Sequence, residues 1–245
     1  MRWDTCSLAV ALAFGAQIRS AAETSEELLR RSDISTLAPE SFQARVTLTQ
    51  GSGRQLNVEV FRADGGRTLV RFLDAGELGK YLLKRDGVMW FLAPRAKAPV
   101  RLDPSYRLNG GASLDDILGM HYSREYRILG AVDTGDLVEL DLQAQGPTAR
   151  YSRVRYVVGK EKHRPVRIDF QAPSGKLTTR VEFTEWEEGS QPRPRRLRVT
   201  DMLRPKASVA VEITQVTETA IPDALFDLED GSARLALETR PTERR

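Results

Sequence analysis

Between residues 41 and 217 the dominant spacing of apolar side chains is two. Phe42, Ala44, Val46 and Leu48 alternate with Gln43, Arg45, Thr47 and Thr49, and Leu56, Val58 and Val60 alternate with Asn57 and Glu59. The same pattern runs through 67–73, 137–142, 153–158, 166–170, 177–186, 195–202 and 209–217. Alternation of this kind marks strands with one buried and one wetted face. Glycine-, proline- and aspartate-rich turns separate them: 51–53, 64–66, 133–136, 145–147, 172–175 and 188–190. Short turns between consecutive strands predict an antiparallel meander. Ten or eleven strands are too many for a flat open sheet, so strong curling is expected.

One hairpin breaks the alternation. Tyr81–Leu83 and Val88–Leu92 flank Asp86-Gly87, a pair suited to the positive φ angles of a tight turn. Val88-Met-Trp-Phe-Leu92 is apolar on consecutive residues, so both faces of that strand carry large apolar side chains. Such a strand needs apolar matter on each side, a core on one and a second core, a partner or a ligand on the other. Phe72, Met89, Trp90 and Phe91 are therefore either ordinary core or the lining of a cavity. Trp90 and Phe91 point to opposite faces, and only one of them can line such a cavity directly.

Two segments read as helix. Ala22–Arg31 has Glu23, Glu26 and Glu27 early and Arg30-Arg31 late, matching the helix dipole. Ser113-Leu-Asp-Asp-Ile-Leu-Gly119 has a capping serine, Asp116 at the capping-box position and a terminating glycine. It lies inside Pro94–His121, the longest irregular stretch, and long excursions between strands are usually functional. A helix over 113–118 is expected in or above the mouth of the curled sheet, with Ile117 and Leu118 closing it.

The N-terminus changes the picture of where the chain works. Met1-Arg2, the mostly apolar run Cys6–Ile18 and Ser20-Ala21-Ala22 have the layout of a signal peptide cleaved before Glu23. The run is shorter than the ~20 residues of a spanning helix, and the residues before Cys6 do not form a lipoprotein signal. A short buried helix is the alternative. The chain's one cysteine lies in this segment, so the remainder depends on neither disulfides nor thiolate metal sites. The formal net charge of +3 is close to balance and does not suggest a nucleic-acid binder.

Catalytic patterns are sparse. His121 and His163 lack carboxylates at metal spacing and read as structural or solvated. Asp115-Asp116 read more simply as helix-start residues than as an acid–base pair. No Gly-x-Ser-x-Gly elbow and no phosphate-cradling glycine loop occurs, so no enzyme and no cofactor is expected. Basic residues gather at Arg95/Lys97/Arg101, Lys160/Lys162/Arg164 and Arg193/Arg195/Arg196/Arg198. They read as solvated strand edges or, functionally, as a surface for acidic lipid head groups or an acidic patch on a transporter.

Four segments carry a family resemblance. Glu40–Gln50 with its Gly51-Ser-Gly53 turn, Arg67–Phe72, the Asp86-Gly-Val-Met-Trp-Phe-Leu-Ala-Pro94 hairpin and Ile221-Pro-Asp-Ala-Leu-Phe226 resemble, in order and spacing, the outer-membrane lipoprotein-sorting (LolA-like) family. The resemblance spans essentially 25–230. It implies a mostly β fold, an unclosed antiparallel barrel of about eleven strands with short helices over its concave face. It also implies a periplasmic, monomeric carrier, residues 23–237, that takes acyl chains of a lipoprotein or lipid towards the outer membrane. An inner-membrane ABC- or RND-type transporter is the implied donor, and 238–245 is a charged tail. Trp90 is the family-matching position, which places Phe72, Leu82, Trp90 and Leu92 in the ligand-binding lining with Ile117 and Leu118 above. Arg67 and Arg71 are alternative gate residues. The chain departs from the better-known carriers at Thr68 and Leu92, and 95–112 is particular to this branch. A non-transporting accessory or sensor module docked on an inner-membrane complex is the competing reading.

Overall fold

The computed structural model describes residues 23–34, 39–94, 96–103, 106–107, 113, 116, 120–146, 149–189, 191–204 and 207–238. They form one 13-stranded antiparallel sheet that does not close into a barrel. Six strands precede the long excursion: β1 (Phe42–Gln50), β2 (Gln55–Ala63), β3 (Arg67–Phe72), β4 (Tyr81–Arg85), β5 (Val88–Leu92) and β6 (Val100–Arg101). Seven follow it: β7 (Tyr126–Asp133), β8 (Leu137–Ala144), β9 (Arg153–Gly159), β10 (Arg164–Gln171), β11 (Leu177–Glu187), β12 (Arg193–Asp201) and β13 (Ser208–Glu218).

Each group is a simple meander, and the two meet where β1 pairs with β13. β6 and β7 are consequently the two outer edges of the sheet, although they are neighbours in sequence. The chain between them crosses from one edge to the other. Leu102, Tyr106, Met120 and Tyr122 of that stretch pack on the larger apolar cluster.

The strands called from alternation are present. Two more, β6 and β7, were not legible. β6 is two residues long, and β7 carries a bulge between Ile128 and Gly130 that breaks the period. Its second half is exposed, including Leu129 and Val132. The Asp86-Gly87 turn has φ of 53° and 74°, as a tight hairpin of this class requires.

Helix α1 (Ser25–Ser32) matches the expected N-terminal helix. Thr24 caps it by accepting from the Glu27 N–H at 3.2 Å, and Leu28 and Leu29 form its buried face. Ser113 and Asp116 make the expected reciprocal capping box: the Ser113 N–H donates to Asp116 Oδ2 at 2.9 Å and the Asp116 N–H to Ser113 Oγ at 3.1 Å. Ile117 and Leu118, the segment 1–22 and the tail 239–245 lie outside the described residues. Two further α-helices, α2 (Tyr122–Glu125) and α3 (Ser232–Glu238), and three 3-10 turns, Asp64–Gly66, Ala75–Glu77 and Asp223–Phe226, complete the described elements.

Candidate functional site: the concave face and its cover

Residues opposite one another on paired strands share a face, so the register sorts the hairpin. Leu82 faces Phe91, while Leu83 faces Trp90 and Tyr81 faces Leu92. Phe72, Leu82, Met89 and Phe91 belong to the larger cluster, with Val46, Val58, Val70, Tyr156, Ile168, Phe170 and Val199 from across the sheet. Trp90 and Leu92 pack instead on a smaller cluster of Phe61, Leu69 and Leu83. Leu225, Phe226 and Leu237 of the C-terminal segment cover that second face.

The six residues expected to line one surface are thus divided. Phe72 and Leu82 stand together, Trp90 and Leu92 lie on the other side of the sheet, and Ile117 and Leu118 are outside the described residues. The side chains that join Phe72 and Leu82 are Met89 and Phe91, reversing the assignment within β5. The physical reason is the turn. With Asp86-Gly87 as the two-residue loop, Arg85 faces Val88, and every later pair follows, placing Leu82 against Phe91.

Arg67 and Arg71 sit on the smaller cluster's face. Arg67 donates to Asp223 at 2.8 Å and lies over the Phe226 ring. Arg71, almost fully buried, donates to Glu59 at 3.2 Å and lies 3.3 Å from Glu238, which also accepts from the Tyr81 hydroxyl at 2.5 Å. Both arginines tie the C-terminal segment to the sheet. Neither stands on the face of the larger cluster.

Short elements cover the larger cluster. Leu28, Leu29 and Ile34 of the α1 region and Met120 and Tyr122 of the crossing chain lie on it. Polar bonds fix this cover at a few points. Tyr156, fully buried on β9, donates to the Ser32 carbonyl at 2.6 Å, and burial raises its phenol pKa well above the usual value. Asp33, at the end of α1, accepts from the Ser123 N–H at 2.8 Å and its hydroxyl at 2.7 Å. Asp116 accepts from Ser113, from Arg107 at 3.4 Å and from the Tyr151 hydroxyl at 2.9 Å, and burial pushes Tyr151 up to about 12. These bonds of the buried carboxylate are structural, in keeping with a capping role. At the other end Glu23 meets His163 at 2.9 Å and Arg31 at 3.1 Å.

A groove of about 770 Å³ opens where β8 and β10 begin and β9 and β11 end. That volume falls within the ~300–1,000 Å³ of small-molecule sites. Leu137, Pro165, Val166, Phe183 and Trp186 supply its apolar wall. Pro165 pairs with Val158 and Phe183 with Leu197, both of the larger cluster, and Phe183 packs against that cluster directly. The groove therefore continues the concave face. A second hollow of about 500 Å³, on the other face beside Gln43, Glu59 and Thr217, is walled mainly by polar side chains.

The basic clusters at 160–164 and 193–196 are largely paired. Lys160 meets Asp133, Arg193 meets Glu187, and Arg195 and Arg196 both meet Glu185. The pairs of Glu185 and Glu187 are cross-strand pairs of the kind that solvated sheet surfaces carry. Among the described residues no group of three His, Cys, Asp or Glu side chains is placed to hold a metal ion. No helix among them is long and apolar enough to cross a membrane.

Comparison with known proteins agrees with this architecture. A family model described as "Uncharacterized protein" matches residues 64–230. The chain belongs to that family. Its fold is LolA-like: a LolA superfamily protein from Nitrosomonas europaea superposes with a TM-score of 0.71 at 21% identity, over 83% of this chain and 97% of that one. An outer membrane lipoprotein-sorting protein domain from Vibrio parahaemolyticus gives 0.65 at 14% identity, covering 87% and 96%. A DUF1329 family protein from Desulfovibrio piger gives 0.64 at 17%, covering 82% and 95%. No curated protein matches the sequence significantly. The resemblance read from four sequence segments is thus met by the fold as a whole. The sheet has two strands more than the eleven expected.

Proposed function

We propose that this protein is an exported carrier that binds acyl chains of a lipid or lipoprotein against the concave face of its sheet, beneath α1 and the crossing chain. One observation carries this reading: a sheet-wide apolar face is covered by short pieces of chain instead of a second sheet or long helices. A cover held by a handful of hydrogen bonds is the part of a fold that opens at low free-energy cost. Each acyl methylene buried in its place contributes ~0.8 kcal/mol, so two or three chains bind tightly without polar recognition. Phe72, Leu82, Met89 and Phe91 form the acyl-facing wall in this reading. The lipoprotein-sorting domain among the structural neighbours supports it as an analogy of fold. A transporter of the inner membrane is the donor that such a carrier needs.

The test is to recover the protein from a periplasmic fraction, weigh it intact and extract it with organic solvent. A mature chain beginning near Glu23 and a co-purifying acyl lipid are expected. An unprocessed chain, or a clean extract together with no binding of any fluorescent acyl probe, overturns the proposal.

A further inference from the structure

The groove at the ends of β8, β10 and β11 has a chemistry that acyl binding alone does not call for. Its deep side is apolar and runs through Phe183 and Pro165 into the concave face. Its rim carries both signs of charge within a few residues. Lys162 and Arg164 converge on one carboxylate, Glu188, at 3.2 Å for the lysine and 2.9 and 2.7 Å for the two guanidinium nitrogens. Two cations thus share a single anion, which itself is well exposed at 63% of its side chain. The Arg164 guanidinium lies 5.3 Å over the Trp186 ring, so that aromatic face already attracts a cation. Glu161 lines the same groove, as does Glu185, whose charge Arg195 and Arg196 already meet. A purely anionic head group would meet the repulsion of Glu161, and a purely apolar tail would leave the rim unused.

We propose that this groove is the polar end of the acyl-chain site and takes a zwitterionic head group, with its phosphate between Lys162 and Arg164 and its ammonium against Trp186 and Glu161. The proposal rests on the carrier reading and adds the class of cargo: an amphiphile whose tail continues past Phe183 under α1. The phosphate supplies the second anion that the Lys162–Arg164 pair lacks. The ammonium meets a carboxylate and an aromatic face, the two groups that hold quaternary nitrogen elsewhere in proteins. Glu23, bonded to His163 between the two cations, anchors α1 beside this mouth, so head group and cover meet at one place.

Calorimetric titration of the full chain tests it with four probes below their micelle concentrations. Three have one acyl length: lysophosphatidylcholine, lysophosphatidylglycerol and the free fatty acid. The fourth is glycerophosphocholine, the head group without a tail. The zwitterionic lysolipid is expected to bind about tenfold tighter than the anionic one, the value of one charge-assisted contact. Lys162→Gln and Arg164→Gln, tested separately, should each weaken both phosphate-bearing lysolipids several-fold, and Glu161→Gln should narrow the preference between them. Equal binding of all three acyl probes, or a preference for an anionic one, overturns the head-group assignment and leaves the carrier reading standing. Lysolipid affinity unchanged in both cation variants also overturns it, as does a preference that Glu161→Gln retains, or binding of glycerophosphocholine equal to that of the lysolipid. Binding of none of the probes overturns both.

Discussion

The phenol of Tyr156, on β9, donates at 2.6 Å to the carbonyl of Ser32, the last residue of α1. The two residues are 124 positions apart, and both are fully buried. This bond holds the cover to the floor of the proposed site, so it sits where opening and stability oppose each other.

Tyr156→Phe removes the donor and leaves the Ser32 carbonyl without it, a loss of about 1–2 kcal/mol. The loss should fall on α1: its amides exchange faster, while those of β9 and β10 stay protected. Acyl-probe affinity should rise, because less of the binding free energy goes into displacing the cover. Weaker probe binding in this variant would show that α1 is part of the receiving surface and is not displaced.

The division of the β5 side chains gives a second test. Phe91→Asp places an unpaired carboxylate on the concave face and should abolish acyl-probe binding at a pH where it stays ionised. Trp90 reports on the opposite face: its emission should ignore a saturating acyl probe but shift to longer wavelength in Leu237→Ala, which opens the C-terminal cover. The measurement uses Trp3→Phe/Trp186→Phe as background. A Trp90 spectrum that follows the probe would put the ligand beneath α3 instead.

Gly79 tests the packing of the hairpin's end. Its φ is +75°, and a Cβ there would lie 2.7 Å from the Pro94 ring. Gly79→Ala should destabilise by about 2 kcal/mol or more, from left-handed backbone strain plus this clash. Adding Pro94→Ala should recover the steric part only. Denaturant midpoints of the two single variants and the double variant separate the contributions; strict additivity would show that ring and Cβ do not meet.

His121 makes stability depend on pH. Burial lowers its pKa, with Arg62, Arg124 and Lys84 acting in the same direction and Asp33 against them. The unfolded chain therefore takes up a proton, near pH 6.5, before the folded one does. The contribution is fully present above that pH and is lost as pH falls from 6.5 towards the lowered folded pKa. Below that it is constant. The midpoint of thermal unfolding should drop across this window, and His121→Gln should flatten the drop. An unchanged slope in the variant would assign the effect to other groups.

Much of this architecture is legible in the sequence because alternation is a strong signal wherever one face of a strand is wet. β1, β8, β11 and β13 follow from it directly. β7 does not, since its bulge and its exposed second half erase the period. The capping box at Ser113 and Asp116 is local chemistry and is readable as such. The face to which Trp90 belongs is not, because β5 is apolar on both sides and only the pairing register breaks the tie. Arg234 is another case. It lies in α3, just before the charged tail, with no pattern to mark it, yet its buried guanidinium donates to the carbonyls of Leu225 and Asp227 and pins the second cover. The groove depends on β10 and β11 residues brought together by three register shifts, which no local pattern announces.

The pairing of β1 with β13 has a consequence for how the molecule comes into being. The first strand made and the last strand made occupy the middle of the sheet, side by side. Each half can form early from contacts between neighbours in sequence, but until residue 218 has emerged both halves present a raw inner edge. The step that joins them is the slowest kind of contact to form, because it brings together segments separated by most of the chain. Loss of β13 by truncation would therefore not trim the sheet at its border. It would leave two unjoined half-sheets, each with a naked edge and no common concavity.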